Sequence, residues 1–463
     1  MSEFVTWPAV GARDLWGALV FGAWFLPLLG AAESLRRRGT LGPEATRKLV
    51  HVGGGLLSLA LPALVRSPVV VLAMSAALSL LFLWAKRRAA LSSLHGVARR
   101  TSGTEYFPLA VFLVYVVTYG RYWLYACSML VLAVADACAA LIGSRYGRHR
   151  YEVEDESKSL EGSAVFLLIA FLALWLPMRP MSGLPPVVCA LSALLVAVLV
   201  TGFEAVSMGG ADNLFIPLGV AVILAKIAAK PVDEIVYQNA SLAALSLGLA
   251  LAARRTPSFN AGGTILFALF AFGAWSLGSE RWALPVLAAF LSYAGARAFV
   301  RNPGGEAPAR IRVRVLFRVL VIPLLLLVTG NMLRRGPEFY APFVAALAVV
   351  LAFGLWNHAV WAWRPAGVRR RVLLLLIAAL AWAVEIVPAW LLVPGRATRS
   401  SLWLTAGLVL AACTLDDLLL GPAPSFDGER AWPARRLVLA AAAGAAVLLA
   451  QQAGWLAPWP YPH

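Results

Sequence analysis

The chain has 463 residues, 61% of them hydrophobic and only 14% charged, with a mean hydropathy of +0.78. So apolar a chain of this length is excluded from the soluble globular class and reads as a polytopic membrane protein. The net charge of +17 then belongs to basic loops on one side of a membrane rather than to a nucleic-acid surface. The four cysteines, all in or beside apolar runs, show neither metal-site spacing nor a disulfide framework.

In chain order, apolar runs fall at 15–33, 49–65, 67–85, 106–120, 122–144, 161–177, 184–201, 214–229, 236–252, 262–278, 282–299, 315–333, 339–358, 371–393, 402–420 and 437–456. That is about 16 candidate spans, each near the length that crosses a hydrocarbon core. Spanning helices satisfy their own backbone hydrogen bonds, so the expected fold class is all-α, a polytopic integral membrane helix bundle. The N-terminal MSEFVTWPAVGARD lacks a basic n-region, and the first run is expected to stay as an anchor. Alternate loops carry about 28 Lys and Arg on one side against about 11 on the other; the rich side is cytoplasmic and the N-terminus outside.

Four polar loops interrupt this pattern. The first, EATRKLVHVGGG, leads into the second run. Glu44, Lys48, His51 and Gly55 recur at i, i+4, i+7 and i+11, one helix stripe, with Arg47 beside it. Snorkelling accounts for one or two boundary cations; a histidine and three glycines there point instead to a polar cavity facing the bundle. The second loop, RRTSGTEYFP, leads into the fourth run.

The third, DACAALIGSRYGRHRYEVEDESKSLEGS, leaves the fifth run and enters the sixth. Asp136, Ala140, Gly143 and Gly147 repeat the same stripe. An acid at membrane depth is costly and marks function or pairing, and small residues above it let a bulky group approach the helix. Arg145, Arg148, Arg150 and Lys158 suit phosphate. Asp136 and Glu161 suit Mg²⁺, which needs few carboxylates because phosphates and water complete its shell. The alternative is a solvated charged loop with Gly-x-x-x-Gly as helix packing.

The fourth loop, GFEAVSMGGADNLFIP, precedes the eighth run and has no Lys or Arg, but carries Glu204 and Asp212–Asn213. Carboxylates there can bind Mg²⁺, act as general base or cap the next helix. Charge counting puts all four loops on the cytoplasmic face, which predicts one composite site. It contains neither a Walker loop nor the protein-kinase motif set.

The blocks RKLVH, SGTEYFPL, DACAALIGSRYG, KSLEGS and E…DNLFIPLG, within about residues 15–230, follow the order and spacing of the dolichol kinase/phytol kinase family, which this part of the chain resembles. The resemblance implies a CTP-dependent kinase that transfers the γ-phosphate to the hydroxyl of a membrane isoprenoid alcohol (phytol, polyprenol or similar), with Mg²⁺. By position, Asp136, Gly143, Gly147, Lys158, Ser159, Glu161 and Gly162 match the family's CTP-binding stretch. Arg47, Lys48 and His51 match its basic-histidine motif, and Glu204, Asp212 and Asn213 its later acidic motif. The implied catalytic residues are Asp136, Lys158, His51, Glu204 and Asp212, with either an acid or His51 as base. The implied metal ligands are Asp136, Glu161 and Asp212, and the remaining matched residues hold CTP. Ser157–Lys158–Ser159 stands where dolichol kinases tend to read Lys-Lys-Thr, and KSLEGS is closer to the phytol kinase and prokaryotic branch, which implies a prokaryotic cytoplasmic membrane.

Residues 1–230 are thus expected to form an isoprenoid alcohol kinase-like domain, and 231–463 an additional multi-span membrane domain serving as scaffold, partner surface or lipid-handling module. Residues 256–299 resemble the opening of the phytyl-phosphate kinase membrane family, but AFGLWNHAVWAW stands where that family's Asp-Thr-x-x-Ser-Glu motif belongs. Glu385, Asp416 and Asp417 are expected as paired or helix-terminal acids, and His358 as an interfacial anchor. Two competing readings are a CTP-using lipid-phosphate cytidylyltransferase, whose Lys-Asp and His-Gly-Gly-x-Asp-Arg elements are missing, and a transporter, which predicts polar motifs in both halves. The expected partners are the alcohol and membrane lipids, with no nucleic acid.

In a background lacking the four native cysteines, single cysteines at Ser102, Ser157 and Ser207 should all react with an impermeant thiol reagent from the cytoplasmic side only. Labelling of any one from outside alone would break the composite site apart.

Overall fold

A computed structural model describes residues 8–88, 103–154, 156–255, 258–300, 310–391, 399–420 and 432–458. Residues 99–102 of the second polar loop, Asp155 of the third, and 256–257 at the start of the second resemblance lie outside the described residues. The chain divides into two compact units, Met1–Ala240 and Ser241–His463.

Every expected span contains a helix. In chain order these are α1 (Ala12–Arg37), α2 (Pro43–Ser58) with a single following turn α3 (Leu61–Leu64), α4 (Pro68–Arg87), α5 (Gly103–Val117), α6 (Tyr122–Tyr146), α7 (Leu160–Met181), α8 (Pro186–Val206), α9 (Asp212–Ile227), α10 (Val232–Arg255), α11 (Ala261–Gly278), α12 (Glu280–Phe299), α13 (Val313–Met332), α14 (Gly336–Trp363), α15 (Gly367–Leu391), α16 (Arg399–Leu420) and α17 (Ala434–Gln452). The protein is an all-α polytopic membrane bundle, with 13 helices long and apolar enough to cross a membrane among the described residues. The estimate of about 16 spans is therefore approximate. The difference lies in α2, α5 and α9, of 16, 15 and 16 residues. At 1.5 Å per residue a 16-residue helix covers only about 24 Å, short of a core about 30 Å thick. These same three helices carry the RKLVH, GTEYF and DNLF motifs.

A helix that stops early leaves backbone carbonyls to be satisfied, and in an apolar surrounding each must find a partner. After α2 the chain runs through α3 and an extended stretch to Ser67, where Pro68 holds its predecessor in the β region and opens α4. Tyrosines of α5, α6 and the link between them cover this stretch. Tyr125 donates to the Ser58 carbonyl (2.9 Å), Tyr122 to Leu59 (3.1 Å), Tyr115 to Val65 (2.8 Å) and Tyr119 to Arg66 (3.1 Å). The carboxylate of Asp14 in α1 accepts the N–H groups of Arg66 (2.6 Å) and Ser67 (3.1 Å).

Two local features were not expected from the sequence. The first is a π-helical turn, Val131–Ala135, in the middle of α6 directly before Asp136. The second is an antiparallel hairpin, β1 (Arg150–Val153) and β2 (Glu156–Ser159), pairing Tyr151 with Lys158. Its charge-rich sequence reads as a solvated loop, yet Val153 is fully buried. Glu154 at the tip takes φ +55°, the left-handed conformation that tight hairpin turns require. Ser159 ends β2 and caps α7, its Oγ accepting from Gly162 N (3.1 Å).

The second unit is built around α14, whose residues from Phe339 to Trp356 are all buried. A helix apolar on every face is stable only when enclosed by others, and α12, α13, α15, α16 and α17 pack against it. Its late acids divide. Asp416 pairs with Arg436 (2.6 Å) and Arg435 (3.2 Å), and Asp417 with Arg370 (2.6 Å). Glu385 differs from expectation: it is fully buried, and neither carboxylate oxygen has a hydrogen-bond partner among the described residues. His358 is no interfacial anchor either. It is 1% exposed, with Nε2 donating to the Val300 carbonyl at 3.1 Å.

Removing the Tyr125 hydroxyl as Tyr125→Phe orphans the buried Ser58 carbonyl and should cost about 1–2 kcal/mol. The exposed Tyr122→Phe should cost less than half as much, with thermal unfolding of the detergent-solubilised protein as the measurement.

Candidate active site

A cavity of about 400 Å³ in the first unit gathers residues from three of the four polar loops, within the size range of small-molecule sites. Glu44, Arg47 and Lys48 come from α2; Asp136, Ala140, Gly143 and Ser144 from α6. The hairpin contributes Arg150, Glu156, Ser157, Lys158 and Ser159, and Gly162, Glu204 and Asp212 come from α7, α8 and α9. The described residues of the second loop do not line the cavity; Glu105 pairs instead with Lys86 at 2.6 Å.

Two ion pairs organise the cavity wall. Lys48 Nζ lies 2.5 Å from Asp136 Oδ2. Lys158 Nζ lies 2.8 Å from Glu204 Oε1 and also donates to the Glu204 backbone carbonyl. Side-chain exposure at these four residues is 9–16%, low enough that each charge needs its partner. Arg47 is held by Glu44 on the same helix at 2.6 Å. Asp212 makes no ion pair among the described residues. It occupies the first position of α9 rather than the N-cap, its Oδ1 accepting from Asn213 N at 3.0 Å, where the helix dipole favours an anion.

Of the cations expected at phosphate, Arg145 and Arg148 do not line the cavity, and four of the residues matched to the family's motifs also lie off it. His51 is enclosed between α2 and α6. Its Nε2 is 2.9 Å from the Leu132 carbonyl and 3.6 Å from Asp136 Oδ2, and its ring meets Phe107 edge-on. Glu161 turns away to His149, contacting Nδ1 at 2.8 Å and the backbone N–H at 3.2 Å. It therefore stands apart from Asp136 and Asp212, and among the described residues no three His, Cys, Asp or Glu side chains group as a bare metal cage. Asn213 is buried and donates to the Gly103 carbonyl at 2.9 Å, which ties the start of α9 to the start of α5. Gly147 ends α6 with its N–H on the Gly143 carbonyl.

The glycines take the packing role that their Gly-x-x-x-Gly spacing offered as the alternative. A Cβ on Gly162 would stand 3.2 Å from the Ala139 carbonyl oxygen and 3.3 Å from Gly143 Cα; one on Gly147 would stand 2.6 Å from Ser159 Oγ. Gly143, Gly147 and Gly162 are thus where α6, the hairpin end and α7 pass closest, although Gly143 and Gly162 also border the cavity. In α2, a Cβ on Gly53 would meet Leu28, one on Gly54 would meet Phe25, and one on Gly55 would collide with Ala133 in the π-turn. These three are packing positions and leave the cavity to the Lys48 face. Sequence reasoning missed Glu156, whose carboxylate reaches the N–H of Gly209 at 3.3 Å and joins the hairpin to the fourth loop. The Tyr151/Val153 alternation before it was the available signal.

The phytol kinase of Synechocystis sp. is 34% identical to this chain over 220 residues, which cover 92% of that protein and 46% of this one. The chain belongs to the phytol kinase family. No family model matches it, and no solved structure matches at comparable significance. Membership fits a cavity that faces cations and carboxylates toward one volume at the ends of membrane helices.

Gly147→Ala should lower the melting temperature by several degrees, because Ser159 must move and take the α7 cap with it. Gly30→Ala, with nothing within 4 Å, should be neutral or stabilising by about 0.5–1 kcal/mol.

Proposed function

We propose that this protein is a CTP-dependent kinase that transfers the γ-phosphate of CTP to the hydroxyl of a membrane isoprenoid alcohol, phytol or a similar prenyl alcohol, at the cytoplasmic face of a prokaryotic membrane. The observation that carries the reading is the shared cavity of Arg47, Lys48, Arg150 and Lys158 with Asp136, Glu204 and Asp212. Phosphoryl transfer asks for charge neutralisation, in-line positioning and an acceptor for the hydroxyl proton. The four cations supply the first, and the residues that frame the cavity hold the nucleotide against the lipid phase in which the prenyl tail lies.

Mg²⁺ suits this donor set as an ion that arrives with the nucleotide. Two carboxylates, Asp136 and Asp212, are enough when phosphates and water complete the shell. When bound, it would neutralise charge on the transferring group. Glu161 is left to order the hairpin through His149. In the reaction the alcohol oxygen forms the new bond to the γ-phosphorus, the bond from that phosphorus to the β-phosphate oxygen breaks, and CDP leaves. The hydroxyl proton passes to a carboxylate of the cavity. Among the described residues Asp212 forms no ion pair whereas Glu204 is held to Lys158, so Asp212 would serve as the base when Asp136 alone carries the metal. Lys48 and Lys158 are positioned to exchange their carboxylates for phosphate oxygens.

With γ-labelled and α-labelled CTP, the purified protein should give a labelled prenyl phosphate and release CDP. Pyrophosphate release would identify a cytidylyltransferase, and neither product a transporter. Asp136→Asn and Lys158→Ala should each lose at least about 10²-fold in turnover, the scale for removing one charge-stabilising group, with membrane insertion intact.

A further inference from the structure

The π-turn Val131–Ala135 has no cause in its own sequence. The stretch YWLYACSMLVLAVADACAALIGSRY contains no proline, and its only glycine lies eight residues beyond the turn. A π-turn inserts one residue into a helix and is costlier than α geometry, so it persists where tertiary contacts hold it. Two such contacts come from α2. Gly55 abuts Ala133, where a side chain would collide. His51 Nε2 contacts the Leu132 carbonyl at 2.9 Å. A carbonyl only accepts, so Nε2 carries the hydrogen, and the same nitrogen is the one 3.6 Å from Asp136 Oδ2. The imidazole thus points an N–H, not a lone pair, at this end of α6, and it does not border the cavity.

We propose that His51 is a positioning residue rather than the base: by holding the Leu132 carbonyl it keeps the π-turn open and so sets the direction in which Asp136 faces. One residue of helix corresponds to a rotation of about 100°. Closing the turn to α geometry would swing Asp136 away from Lys48 and the cavity. Lys48 and His51, three residues apart on α2, hold Asp136 from two sides.

The activity arm of the test rests on the kinase reading; the thiol arm does not. His51→Gln keeps an amide N–H at about the reach of Nε2 but has no titrating nitrogen. It should stay within about threefold of wild-type kcat with an unchanged pH profile, whereas His51→Ala should lose about 10²-fold. His51→Asn, whose amide is too short for Leu132, takes the place of the alanine variant if that one does not fold. Independently, Asp136→Cys in a background free of the native cysteines places a thiol beside Lys48. It should react readily with a water-soluble methanethiosulfonate when residue 51 is His or Gln, and at least tenfold more slowly when it is Ala or Asn. Equal reactivity in all backgrounds overturns the proposal, as does a Gln variant as inactive as the Ala variant with a limb of its pH profile gone. If the wild-type protein phosphorylates no prenyl alcohol, the kinase reading fails and the thiol arm alone decides the role of His51.

Discussion

One ion pair, Lys48 to Asp136 at 2.5 Å, fixes how the first unit is put together. Buried pairs add little net stability, because desolvation offsets most of the attraction, but removing one partner costs about 3–5 kcal/mol. Such a pair therefore acts as a register pin: α2 and α6 can pack only where both charges meet. Gly55 lets the helices approach closely enough for that meeting, and the π-turn rotates Asp136 toward it. With α6 held in this way, Gly143 seats against Gly162 of α7, and the hairpin between them is carried to Glu204 of α8.

The remaining walls are tied to this frame by single polar contacts. Asn213 locks the start of α9 to the start of α5 through the Gly103 carbonyl, so Asp212 enters the cavity from a fixed helix end. Glu156 binds the fourth loop to the hairpin through Gly209. Three of the helices involved are too short to cross a membrane alone, and the tyrosines over Ser58–Arg66 show how the bundle tolerates one of them. Chain that leaves helical geometry is covered by hydroxyl donors from neighbouring helices rather than by water.

The second unit resolves its buried charge in another way. Arg436 is fully buried, yet its guanidinium is shared between Asp416 and Asn357 and lies over the rings of Phe353 and Trp432. Arg436 and Asp416 thus meet partners and aromatic faces, so this cluster fastens α14, α16 and α17 instead of presenting donors to a ligand. More than half of the chain lies outside the alignment to the phytol kinase relative.

Hydropathy alone determined the class and located the long helices among the described residues, because crossing a bilayer demands long apolar runs whatever their neighbours. The spacing of Glu44, Lys48 and His51, and of Asp136, Ala140 and Gly143, was equally legible, since a helical repeat places residues on one stripe by geometry. The sequence could not say which member of a stripe faces the cavity and which faces another helix. His51, Gly55 and Gly147 share their stripes with Lys48 and Asp136, yet none of the three borders the cavity. The π-turn, the hairpin made from a charged run, and the departure of Glu161 toward His149 were also invisible. The π-turn and the seating of the hairpin depend on contacts between residues far apart in the chain, 81 positions for His51 and Leu132 and 46 for Lys158 and Glu204, whereas Glu161 and His149, 12 positions apart, meet only because the hairpin folds back. Local pattern fixes what a helix offers on each face; only tertiary packing decides which face meets the ligand, because that choice is made by the side chains of the helix opposite.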